Sequence, residues 1–555
     1  MKKTRFCLLP IIFTLLASCT ENFEGDTYID VKPPYSSTET FVFGNRIEIP
    51  YSIDNLRKAY ESLDVKTKAE INIDELAPTH YYARFAPLDG EDLDILLNDN
   101  NLILYEFPMD VEILEFGTSY HDPTLPPDQP TYQYTIVDID YWDCLINKID
   151  FDYQILMAVF MPEDDDYYFE TKSAIKTESA YNKLLKIAYQ NAGQDLMPET
   201  KSSWTPSGYI KSYDNVVQTY IPIKKVRVRG KHLLKTVEAL TDTNGYYVFP
   251  RSFNNTPTMM IVWESDDWDI REGTTGQAYL SKPCVFGQPW NVNVSATDGD
   301  GVKLAAIHRA AYRTFYGFHY YIAPPNYSRK IKIGFVDEID DGTKSGAFHK
   351  TNLMGAGLDI EIASATDSTP YFTISETFNL TCHELGHAIQ YTSTHASNYD
   401  ISEDRMLESW AVFVQYVYTR REYAELGVED SLVPNKSLHS GILFEEADRR
   451  FNYQKRYWTN DTTILNHFNT YTPILVDLFD DYNQLVYYDN ILTMVHPNDN
   501  VIGFPPDIIK YYAFTSTSFS DLKAALIQYA YDYPTNPYGI TVANINALFY
   551  VYYGF

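Results

Sequence analysis

The chain has 555 residues, with 75 acidic side chains against 44 basic ones and a formal net charge of −31. So acidic a balance excludes nucleic acid as a partner and excludes charge-driven adhesion to anionic lipid. The length fits roughly three or four domains with ample core. Forty-eight tyrosines suit sheet edges and interfaces, with glycan or peptide contact as the sharper alternative.

Residues 1–19 read as a targeting segment. Lys2, Lys3 and Arg5 form a basic start, and Cys7 to Ala17 is an apolar run too short to span a bilayer. Leu16-Ala17-Ser18-Cys19 resembles a bacterial lipobox. That resemblance implies lipidation at Cys19, a membrane-tethered chain and a place in the bacterial cell envelope. The acidic stretch Glu21-Asn22-Phe23-Glu24-Gly25-Asp26 is loosely similar to the export tags of Bacteroidetes surface lipoproteins, which would put the chain on the outer-membrane surface. Residues 20–45, with Pro33-Pro34 and a Ser/Thr run, read as a tether.

Residues 46–203 read as an α+β accessory domain. Leu56 to Ser62 and Leu93 to Leu97 suggest short helices, Tyr81 to Ala86 and Thr131 to Asp138 strands, and Ala180 to Ala188 the clearest helix. No chemical motif falls here. Residues 204–299 change character. Val226-Arg227-Val228-Arg229 alternates as a strand, and with Lys224 and Lys225 it forms a basic patch, read as the exposed face of an edge strand. Thr236 to Ala239, Thr241-Asp242-Thr243-Asn244-Gly245 and Tyr246 to Phe249 then form a strand–turn–strand with an Asn-Gly hairpin signal. This pattern resembles the carboxypeptidase regulatory-like module, an all-β, transthyretin-like sandwich whose usual role is spacing and whose sharper alternative is glycan binding.

Residues 300–555 carry the chemistry. Val302 to Tyr316 reads as a helix, and Ile331 to Val336 and Gly355 to Ile362 as strands. Then comes Thr381-Cys382-His383-Glu384-Leu385-Gly386-His387-Ala388-Ile389, which contains H-E-x-x-H. Histidines four apart on a helix share a face, roughly 5–6 Å apart at Cβ, so both imidazoles can reach one metal ion. Glu384 projects beside that face, placed to take a proton from an activated water rather than to ligate. Thr373 and Glu376 fit a capping box that starts this helix.

The third ligand decides between classes. Gln390 and Ser393 stand where H-E-x-x-H-x-x-G-x-x-H would need glycine and histidine. A second helix follows over 402–420, with Ser402 as candidate N-cap, and Glu408 opens its long apolar run 21 positions after His387. A carboxylate in such a run is costly unless paired or bound to metal. Glu403 is the alternative ligand, but reads better as a charge at the helix N-terminus.

His383, His387 and Glu408 match the gluzincin ligand set, and Glu384 its base, so these residues resemble a gluzincin-type zinc metallopeptidase. The resemblance implies Zn²⁺, a zincin-like α+β domain, and hydrolysis of peptide bonds in a protein, peptide or glycoprotein. The thermolysin type has an aspartate four residues after its glutamate; here that position is Val412, so a different support for the ligating histidines is implied. In zincins the strand before the active-site helix lines the cleft, which by resemblance puts Gly357 and Leu358 near substrate. His467 and Tyr471 are candidate donors to the oxyanion. His308 and His319 read as packing or surface histidines, and Cys382 as a buried apolar cysteine. The competing reading is a non-catalytic adhesin or glycan-binding lipoprotein with a structural zinc site.

Overall fold

In the computed structural model, the described residues are 18–19, 41–71, 76–127, 129–161, 180–194, 203–317, 321–339, 344, 346–349, 357–365, 372–394, 396–428, 474–480 and 500–553. They form a mixed α+β architecture with several sheets. In the N-terminal region, His80–Ala86 lies between Gln133–Asp138 and Asp152–Val159, antiparallel to both. Helix Ile53–Glu61 starts at Ser52, whose side chain accepts from the Asn55 amide, and it packs against Ala180–Asn191 through Leu56, Ala59, Leu184 and Leu185.

Two four-stranded sheets follow. One has the order Lys235–Leu240, Arg227–His232, Thr258–Val262, Tyr279–Ser281; the other is built on Ser207–Asp214. Val228, Val237 and Ile261 from the first share a buried core with Ile210, Tyr247, Val292 and Val294 from the second. Alternation explains this, since every second side chain of each strand turns inward. Two expectations need correction. Arg227–His232 is an interior strand, paired on both sides, and Arg229 is 4% exposed. Its guanidinium is tied to Glu238 (2.5 Å), and Arg227 to the same carboxylate (2.9 Å). The alternating basic residues are thus ion-paired, Arg229 buried and Arg227 partly so, rather than a solvated edge. Second, the Asp242–Gly245 turn does not close a hairpin. Lys235–Leu240 pairs with Arg227–His232, while Tyr246–Val248 pairs with Ser207–Asp214 in the other sheet. Gly245, at φ 75°, lets the turn press on the Ile210 carbonyl, 2.4 Å from where a Cβ would sit. The actual two-residue hairpin loop is Leu233-Leu234, with Leu233 at φ 53°.

The sheet beside the candidate site has the order Ser18–Cys19, Gly346–Phe348, Ile360–Ala363, Ile331–Val336, Trp268–Glu272, Gly276–Gln277. Trp268–Glu272 runs parallel to Ile331–Val336, so this sheet begins inside the stretch read as 204–299, and the boundary at 299/300 does not separate the two sheets. Helix Asp300–Tyr316 packs on helix Ile374–Ser393, which packs in turn on Asp404–Glu425. One continuous core runs from the two small sheets through these helices to the C-terminal helices Pro506–Thr515, Phe519–Asp532 and Val542–Tyr553. No helix among the described residues is long and apolar enough to cross a membrane.

Candidate metal centre

The helix Ile374–Ser393 starts as the sequence predicts. Thr373 accepts from the Glu376 amide (3.3 Å), and the Glu376 carboxylate accepts from the Thr373 amide (2.6 Å). The helix is buried from Thr377 through Gln390, so the pentad lies in the interior. In the helix Asp404–Glu425 the N-cap position is held by Glu403 rather than Ser402, with no side-chain cap hydrogen bond. Glu403 accepts from Arg405 Nε (2.6 Å) and from the Phe519 amide (3.2 Å), which sets it at the helix end and outside the His383–His387–Glu408 group.

The two helices bring His383, His387 and Glu408 together, with one ligand atom of each within 4.8 Å of the others. Glu408 Oε2 lies 3.1 Å from His383 Nε2 and 3.5 Å from His387 Nε2. Neither imidazole is exposed, and Glu408 is 2% exposed. Burial works to raise the Glu408 carboxyl, but the charge and hydrogen bonds of the two imidazoles overcome it and hold the carboxyl down at about 2. Two nitrogen donors and one anionic oxygen suit a divalent transition metal such as zinc, and the group could hold such an ion.

What orients each ligand is visible. Gln415 Oε1 accepts from His383 Nδ1 at 3.3 Å, which turns Nε2 toward Glu408. Gln415 lies nearly two helical turns beyond Glu408, in place of the aspartate that Val412 lacks. Sequence reading missed it because an uncharged glutamine in an apolar run signals nothing by itself. The His387 ring is edge-on to His383, with centroids 5.0 Å apart, and stacks on Phe348 at 6.2 Å. Trp410 Nε1 donates to the Gly386 carbonyl (3.0 Å), pinning one helix on the other.

Glu384 is fully buried and lies against the strand Gly346–Phe348. That strand adjoins the candidate base. Ile360–Ala363 is paired on both sides, which leaves it no open edge for another chain. Leu358 is 5% exposed and packs over Gly334, while Gly357 holds φ 136° at the approach to the strand. Gly-Ala-Phe offers no sequence signal for a strand beside the pentad.

The remaining candidates distribute as follows. His308 is buried, accepts from Trp268 Nε1 at Nδ1 (3.2 Å), and donates from Nε2 to the Lys224 carbonyl (2.9 Å); burial pushes its pKa down to about 4. It is a packing histidine. Cys382 is buried, and Cys19 falls on the short strand beside Gly346–Phe348. His319, His467 and Tyr471 lie outside the described residues. Comparison with protein-family models, curated proteins and solved structures finds no match to this chain.

Proposed function

We propose that the chain is a zinc-dependent metallopeptidase of the gluzincin type, hydrolysing peptide bonds of a protein, peptide or glycoprotein. The observation that carries this reading is the buried His383–His387–Glu408 group with Glu384 on the same helix. When bound, a zinc ion supplies a Lewis acid that brings a water to a pKa of about 7 and polarises the scissile carbonyl. His383 and His387 would hold it through Nε2 and Glu408 through its carboxylate, with Gln415 orienting the His383 ring. Glu384 takes the proton of the attacking water on its carboxylate and hands it to the leaving amine nitrogen as the C–N bond breaks. An extended substrate would lie along Gly346–Phe348 in place of Ser18–Cys19, since by the lipobox resemblance Ser18 leaves with the signal peptide and opens that edge. By the lipobox resemblance, the mature chain is tethered through Cys19 at the bacterial cell envelope. The small sheets then act as a spacer of carboxypeptidase regulatory-like type.

The competing reading, a binding lipoprotein with structural zinc, has no use for a carboxylate at position 384. Glu384→Gln separates the two. The variant is expected to keep about one zinc per chain and lose cleavage of a peptide library by 10²-fold or more, the scale of a lost general base. Equal cleavage by both proteins would remove Glu384 from the chemistry. Retained zinc with no cleavage by either would favour the binding protein.

A further inference from the structure

Behind the metal group lies a second buried polar cluster that the proposed reaction does not itself require. The helices Ile374–Ser393 and Asp404–Glu425 run antiparallel. His383 meets Gln415, a Cβ on Gly386 would meet Ala411, and at the far end the Phe378 and Tyr423 rings lie 6.2 Å apart. Asn379 is one turn before His383 on the same face, and Thr419 is one turn after Gln415 on its face. The register therefore brings Asn379 level with Thr419, between the His383–Gln415 layer and the Phe378–Tyr423 layer. Asn379 and Thr419 are 0% exposed and Gln415 is 1% exposed. Four of their polar atoms are buried without a hydrogen-bond partner: Gln415 Nε2, Asn379 Oδ1 and Nδ2, and Thr419 Oγ1.

Buried amides and hydroxyls left so are costly, and they recur in folded chains where ordered water completes them. The set is chemically complementary to water, with two amide donors, one amide acceptor and one hydroxyl that does either. Gln415 is the link, since its Oε1 accepts from His383 while its Nε2 faces away from that bond. Its amide must hold one orientation for His383 to present Nε2 to an ion.

We infer that Asn379, Gln415 and Thr419 form a buried water-binding pocket that fixes the Gln415 amide and thereby positions His383 for the metal. The assignment rests on the peptidase reading only through the zinc site. Asn379 and Thr419 are positioning residues acting through Gln415.

The test uses the full chain and two readouts, zinc affinity by competition with a chelator and thermal unfolding of the zinc-free protein. Thr419→Val and Asn379→Leu replace polar atoms by apolar ones of similar shape. Both variants are expected to unfold near the wild-type temperature without zinc, because each loses a buried polar group together with the water bond that satisfied it. They are expected to bind zinc roughly 10–100-fold more weakly, the usual effect of losing support for a ligand. Thr419→Ser, which restores the hydroxyl, is expected to return zinc affinity to the wild-type value, an outcome that simple packing would not produce. Thr419→Val carries the test alone if Asn379→Leu fails to fold. Unchanged zinc affinity in the folded apolar variants overturns the positioning role and leaves the peptidase reading standing. A wild-type chain that takes up no zinc overturns both.

Discussion

A Cβ placed on Gly346 would lie 2.5 Å from Glu384 Oε1 and 3.0 Å from its Cδ and Cγ. The strand beside the candidate base therefore has room for hydrogen only at this position. Its neighbour Ala347 is 1% exposed, so the strand cannot simply shift outward without disturbing its own packing. Gly346→Ala should displace the carboxylate and leave the metal ligands in place. The expected result is full zinc content with kcat lowered about 10–100-fold, since an ångström of misplacement costs on that order. A variant with wild-type kcat would show that Glu384 can yield without consequence.

Gly386 sits inside the pentad for a different reason. A Cβ there would lie 3.0 Å from the Ala411 Cα and 3.1 Å from the Val414 Cβ. Removing a mid-helix glycine normally favours the helix by about 1 kcal/mol. Here the contact is with backbone that cannot rotate away, so overpacking should prevail by roughly 1–3 kcal/mol. Gly386→Ala is expected to lower the unfolding temperature and also zinc affinity, because Glu408 rides on the helix being pushed. Higher stability with unchanged zinc would mean the two helices separate freely.

These two glycines mark the limit of what the sequence discloses. The capping box at Thr373 and the helical spacing of His383 and His387 were readable because they are local: each depends on residues within a turn or two. Glu408 was readable because an acid in an apolar run needs a partner. Gln415 and Gly346 were not, since their roles depend on which helix and strand pack beside the pentad. The same distinction explains the small sheets. Asn244-Gly245 advertises a turn, and a turn forms, but tertiary pairing sends its flanking strands into different sheets. Leu233-Leu234 advertises nothing, yet it closes a two-residue hairpin. Both leucines are buried, and the Leu234 amide donates to Tyr51 Oη (3.0 Å), so burial stabilises a turn that local chemistry would not choose.

Glu272 gives a pH dependence that can be isolated. Burial pushes its carboxyl up to about 7, opposed by the hydrogen bond from Thr118 Oγ1 and reinforced by Asp300 and Asp337. Because the folded value lies above the unfolded one of about 4.3, the native state holds the extra proton across that window. Stability from this group is then present below about pH 4 and is lost as the pH rises toward 7. Glu272→Gln keeps an acceptor for Thr118 and carries no charge. It should be more stable than wild type at about pH 8 by on the order of 1–3 kcal/mol, with the difference shrinking at about pH 5. Glu106, also raised to about 7 by burial, contributes its own slope to both proteins and cancels in the comparison. Urea unfolding at the two pH values decides it. A variant less stable at the higher pH would show that Glu272 is held there as a needed anion.

The last prediction concerns how the small sheets are joined to the helix that carries Glu408. Asp214, at the end of Ser207–Asp214 and 0% exposed, accepts from Arg309 Nη1 (2.8 Å) and Tyr423 Oη (3.0 Å). Arg309 Nη2 donates to Glu422 Oε1 (3.0 Å), and Arg313 Nε donates to Glu422 Oε2 (2.9 Å). Glu422 still has Arg313 if Arg309 is lost, whereas Asp214 would keep only uncharged partners, the Tyr423 phenol and the Val216 and Val217 amides, and no counter-ion. Arg309→Met should therefore cost about 3–5 kcal/mol, most of it from the stranded Asp214 charge. Arg309→Met combined with Asp214→Leu should recover the larger part, because no buried charge remains without its counter-ion. A double-mutant cycle by urea unfolding measures the coupling. Additive losses would mean that Asp214 is held by Tyr423 and the surrounding packing, and that the ion pair contributes little to joining the sheet to the helix.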